Sequence, residues 1–86
     1  MSFRIQIRKQ ALKEMTKLPV TINRLISASI DQLAVNPRPI GCKKLKGEKE
    51  ILWRIRVGDY RILYSIEDSV QIIDIRKIGH RKNIYN

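Results

Sequence analysis

A chain of 86 residues makes one domain, residues 1–86, and at this size folding buries only about 60% of the unfolded surface around a single core. Lys and Arg number 18 against 8 Asp and Glu, a net charge of +10 at pH 7, so the partners to expect are polyanions or acidic proteins. The lone cysteine, Cys42, excludes an internal disulfide, and no Cys/His cluster suggests a metal site. Apolar runs are too short for a membrane helix, and residues 1–8 lack the apolar stretch of a secretory signal. A basic, cytoplasmic protein without a metal or small-molecule cofactor is expected.

Phe3, Ile5 and Ile7 alternate with Arg4, Gln6 and Arg8, the period of a half-buried strand. Ala11, Leu12, Met15 and Leu18 then recur at helical spacing, with Lys9, Lys13, Glu14 and Lys17 on the other side. Pro19 ends that helix and suits the first turn of the next. Ile22, Leu25, Ile26, Ile30 and Leu33 trace the apolar stripe of a second helix, which Asn36-Pro37-Arg38-Pro39 stops. Ile40 to Glu50, with four lysines and two glycines, reads as an exposed loop. Trp53, Ile55 and Val57, then Tyr60, Ile62, Tyr64 and Ile66, alternate as two strands joined at Gly58-Asp59. Val70 to Ile78 is the most apolar strand and is assigned to the centre of the sheet. The predicted fold is α+β: two helices in the N-terminal half packed on one face of a mostly antiparallel four-stranded sheet, in the order β-α-α-β-β-β.

One face of such a sheet stays uncovered. Arg54, Arg56 and Arg61 share a parity opposite to Trp53, Ile55, Ile62 and Tyr64, so they project together onto that open face. Guanidinium groups match phosphate oxygens as planar forks, which makes the cluster a candidate phosphate-binding surface. The competing reading is a solvated strand face whose charges pair with Glu48, Glu50 or Asp59. Lys43, Lys44 and Lys46 extend the basic surface and suit a nucleic-acid backbone. His80, Arg81 and Tyr85 leave the end of the last strand; histidine exchanges protons near neutral pH, arginine stabilises an oxyanion, and tyrosine stacks on a base or gives up a proton. With no nucleophile triad, Gly-rich phosphate loop or paired carboxylates, metal-independent chemistry on a phosphodiester is the enzymatic reading that these parts allow.

The stretches Leu45-Lys46-Gly47, Leu52 to Tyr64 ("LWRIRVGDYRILY") and Ile75 to Tyr85 ("IRKIGHRKNIY") resemble the RelE/ParE superfamily of toxins, over nearly the whole chain. The RelE branch of that superfamily implies a ribosome-dependent mRNA endonuclease that cleaves in the A site through the 2′-hydroxyl and inhibits translation. An acidic antitoxin, partly disordered when free, is implied as the partner that occludes the site, with the ribosome and its mRNA as the other. Carried over residue by residue, Arg61 corresponds to the arginine at the scissile phosphate, Arg81 to the arginine after the Gly-X pair, and Tyr85 to the tyrosine serving the cleaved nucleotide. Arg54 and Arg56 stand where well-known members have lysines; arginine does not surrender its proton, so His80, with Tyr85 as the alternative, takes the acid/base role. The alternatives are a ParE-like toxin that inhibits DNA gyrase without nuclease activity, and an inactive relative that only binds an antitoxin.

Overall fold

The structure is a computed structural model and describes residues 2–47 and 49–84. Its elements are β1 (Arg4–Ile7), α1 (Lys9–Thr16), α2 (Val20–Val35), β2 (Lys43–Lys46), β3 (Ile51–Val57), β4 (Tyr60–Glu67) and β5 (Ile72–His80). The strands form one sheet in the order β1-β5-β4-β3-β2. β2 to β5 form an antiparallel meander, because short turns can only reverse the chain. β1 lies parallel to β5, with Ile5 opposite Ile73 and Ile7 opposite Ile75.

The sheet therefore has five strands and is mixed, where four mostly antiparallel strands were expected. The additional strand is β2, inside the segment read as a loop. Leu45 faces Leu52, and the lysines around it show no alternation of their own because an edge strand needs only one partner. The middle strand is β4 and not the apolar last strand. β4 is covered on both faces, with Ile62, Leu63, Tyr64 and Ser65 all buried in succession. Val70 is exposed and Gln71 takes a left-handed φ of 55°, so the last ladder begins only at Ile72. Pro19 caps α2 from outside its first turn.

One side of the sheet carries the core. Ala11 of α1 and Ile26, Ile30 and Leu33 of α2 pack on Ile55, Ile62, Tyr64, Ile73, Ile75 and Ile78. Each such isoleucine, fully buried, contributes about 1.5–3 kcal/mol. Ile75 and Ile78 are three residues apart, yet both face the helices. A bulge permits this: Leu63 pairs with Lys77 and Tyr64 with Ile75, which leaves Arg76 as the extra residue. The Asn23 side chain donates to the Met15 carbonyl at 2.8 Å and ties the helices together.

The chain after α2 is latched onto this side. The Tyr64 hydroxyl donates to the Pro37 carbonyl at 2.7 Å, and burial raises its pKa well above the usual phenol range. Arg38 stacks 5.0 Å from the Trp53 ring centroid and grips Asp68 at 2.8 and 3.3 Å. Tyr64→Phe removes one donor and leaves the Pro37 carbonyl without it. A loss of about 1 kcal/mol is expected, read as a lower urea midpoint with an unchanged slope.

Candidate nucleic-acid interface on the open sheet face

Alternation along β2, β3 and β4 gathers the cations as the sequence suggests, with exceptions. Lys43 pairs with Arg54, and Arg56 pairs with Arg61, so these four stand on the side away from the helices. Lys44 and Lys46 pair with Trp53 and Ile51 and take the opposite parity, so the lysine group divides between the two sides. Lys77 joins the open face opposite Leu63. Sequence periodicity missed it, because the extra residue Arg76 reverses the parity just before it.

Part of this face is roofed. Leu63 and Ile84 are buried but lie outside the helix-side core, and a Cβ on Gly79 would sit 3.3 Å from Ile84 Cδ1. The turn after β5 therefore folds back across Gly79, and the missing side chain there gives it room. Arg54 is only 9% exposed on this face, while Arg56 and Arg81 are open to solvent.

Arg61 and Arg81 meet at one turn. Val57 and Tyr60 close a two-residue hairpin in which Gly58 has φ 59° and Asp59 does not share the positive sign, the pattern of a type II′ turn. Arg61 Nη1 donates to the carbonyls of Gly58 at 3.0 Å and Tyr60 at 2.9 Å. The backbone N–H of Arg81 donates to the Asp59 carbonyl at 2.8 Å, with its Nε 4.0 Å from the Asp59 carboxylate. Two arginines far apart in sequence are thereby fixed to one short segment.

His80 shares the parity of Ile78 and so takes the helix side, opposite the arginines; its ring meets Tyr60 edge-on, with centroids 5.6 Å apart. Its Nδ1 accepts the Lys82 backbone N–H at 3.2 Å, which places the hydrogen of the neutral ring on Nε2. Tyr85 lies outside the described residues, as does Glu48.

The charge on the open face is divided. At the end near β1, Arg76 binds Glu50 through two contacts of 2.5 and 2.7 Å, Asp74 at 2.9 Å and the Ser65 hydroxyl at 3.2 Å. Arg8 also reaches Asp74 at 3.0 Å. Glu50 and Asp59 are thus engaged by Arg76 and Arg81. Among the described residues no carboxylate lies within ion-pair distance of Arg56 or Arg61. Beside this basic half, Arg54 and Arg56 also line a cleft of about 890 Å³ bounded by the end of α2 and residues 39–41. Among the described residues, no three His, Cys, Asp or Glu side chains gather as metal ligands, and no helix is long and apolar enough to cross a membrane.

The chain is matched over residues 5–85 by the family of ParE toxins of type II toxin–antitoxin systems, parDE. It belongs to the RelE/ParE superfamily and is the toxin component of such a system. Its relatives place it on the RelE-like side. RelE1 of Methanocaldococcus jannaschii is 35% identical over 88 residues, covering 99% of this chain and 97% of that one. The toxin RelE3 of the same organism is 32% identical over 87 residues, covering 96% of each. The archaeal RelE–RelB complex of Pyrococcus horikoshii contains a chain that superposes with a TM-score of 0.84 at 33% identity, covering 96% of this chain and 99% of that one.

Two outcomes test this geometry. Gly58→Ala places a side chain in the left-handed region and is expected to cost about 1–2 kcal/mol in urea unfolding. Arg76 holds the Glu50 carboxyl below its usual range by hydrogen bonding, so this carboxylate contributes stability above its ordinary pKa near 4.5 that is lost as pH falls through the lower folded value. Glu50→Gln is therefore expected to be less stable than wild type at neutral pH and to lose less of its urea midpoint on acidification.

Proposed function

We propose that this toxin is a ribosome-dependent, metal-independent mRNA endonuclease that cleaves in the A site and thereby stops translation. The observation that carries this reading is the basic half of the open sheet face, where Arg56 and Arg61 have no carboxylate partner among the described residues and Arg61 and Arg81 are held at one turn. Such a surface attracts an RNA backbone, and its donors suit the charge that builds on a phosphorane.

The 2′-oxygen attacks the adjacent phosphorus. The O2′–P bond forms and the P–O5′ bond breaks, leaving a 2′,3′-cyclic phosphate and a 5′-hydroxyl. The proton of the 2′-hydroxyl passes to a base, and the departing 5′-oxygen takes one from an acid. Arg61 and Arg81 bind the phosphoryl oxygens, and Arg56 and Lys43, exposed on the open face, track the flanking backbone; Arg54 is too buried to do so, and Lys44 and Lys46 take the other side of the sheet. Proton transfer falls to Tyr85. His80, expected from the sequence to take this role, lies on the helix side against Tyr60 with Nδ1 engaged by the Lys82 N–H, so as folded it does not face the arginines. Limited acid–base power is compatible with turnover when the ribosome itself aligns the 2′-oxygen and phosphorus.

The partner in the cell is an antitoxin, a reading supported by the complex of the Pyrococcus horikoshii relative with RelB, and the basic face calls for an acidic one whose carboxylates occupy the phosphate positions. The family match to ParE toxins favours one second reading, inhibition of DNA gyrase without RNA cleavage. The two are separated by mapping mRNA ends in a reconstituted translation system with EDTA-treated toxin, with and without ribosomes, alongside a gyrase supercoiling assay. Ribosome-dependent cuts within codons are expected, with gyrase unaffected; intact mRNA together with lost supercoiling would reverse the assignment. Arg61→Ala and Arg81→Ala are each expected to lower cleavage by about 100-fold or more while leaving the free energy of unfolding within about 1 kcal/mol of wild type.

A further inference from the structure

Beyond Ile75, the outer edge of β5 has no strand beside it among the described residues. β1 pairs only as far as Ile7, the N–H of Arg8 reaches the Ile75 carbonyl at 3.0 Å, and the chain then turns into α1. α1 covers the rest of the edge, and Ile78 there is 1% exposed, so its outward N–H needs a partner from the helix. Glu14 provides it: Oε1 accepts the Ile78 N–H at 2.9 Å. Glu14 is the only acid of α1, whose other charged residues, Lys9 and Lys13, face solvent.

The anchored residue directly precedes the functional segment. Gly79 lies beneath Ile84, and the Arg81 N–H binds the Asp59 carbonyl. The end of β5 is thus held from outside by Glu14 and from inside by the turn that also fixes Arg61. We propose that Glu14 is a positioning residue: its carboxylate fixes the end of β5 through Ile78 and so sets where Arg81 stands relative to Arg61. The catalytic consequence rests on the nuclease reading above.

The test uses Glu14→Ala, which removes the acceptor, and Glu14→Gln, which keeps an acceptor oxygen at the same reach. Amide exchange is measured at Ile78, with Ile30 in the core as the folding control, and cleavage of ribosome-bound mRNA is measured in parallel. Glu14→Ala is expected to speed exchange at Ile78 at least about tenfold without moving Ile30, and to lower kcat about tenfold or more with little change in KM. Glu14→Gln is expected to restore both to within about threefold of wild type. Should Glu14→Ala fail to fold, Glu14→Asp, which keeps the charge but retracts the oxygens by one methylene, is expected to give the same pattern. Unchanged exchange at Ile78 overturns the anchor; fast exchange with wild-type kcat, or a kcat that Glu14→Gln does not rescue, overturns the positioning role. A wild-type protein that leaves ribosome-bound mRNA intact overturns the nuclease reading instead, while exchange at Ile78 still decides the anchor.

Discussion

Two short helices can cover one face of a sheet and no more. Nearly every other feature of this molecule follows from that limit. The covered side takes Ile55, Ile62, Tyr64, Ile73, Ile75 and Ile78, packed on Ala11, Ile26, Ile30 and Leu33. The other side receives the alternate residues of the same strands, and where the turn after β5 leaves it open these can be charged without desolvation. The positive surplus of the chain is thus concentrated on a flat surface backed by a rigid layer. A binding surface built on strands holds its groups more firmly than one built on loops.

The bulge at Arg76 divides that surface into two electrostatic regions. Without the extra residue, Ile75 and Ile78 could not both reach the core. With it, Arg76 is free to collect Glu50, Asp74 and Ser65 into a neutralised patch near β1. Glu50 and Asp74 are consumed there, while around the Gly58–Asp59 turn Arg56 and Arg61 have no carboxylate within ion-pair distance among the described residues. Packing on one side of the sheet thereby shapes the potential on the other.

Much of this was legible in the residues. Period-2 alternation in "LWRIRVGDYRILY" separates Arg54, Arg56 and Arg61 from the core side chains correctly, and the stripe from Ile22 to Leu33 marks α2. Three features were not legible, each because the cause lies outside the local sequence. β2 is a strand only because β3 offers it an edge, which no pattern within "KKLK" announces. The place of β4 in the middle depends on β1 joining the far side of β5, a pairing across the length of the chain. The parity of Lys77 and His80 depends on a single inserted residue. Motif spacing gathers Arg61 and Arg81 into one candidate site, but the turn carbonyls that hold them emerge only in three dimensions.

The parallel pairing of β1 with β5 also sets the order in which the molecule can be completed. Partners in this pairing, such as Ile7 and Ile75, stand 68 residues apart in the chain. The helical hairpin and the first turns can form early, but the sheet cannot close until β5 is available to β1. Such long-range pairing slows folding, because loop-closure entropy is spent before the contact forms. The basic face on β2, β3 and β4 is thus drawn from local hairpins, while the sheet that backs it is completed last, by the pairing that joins β1 to β5.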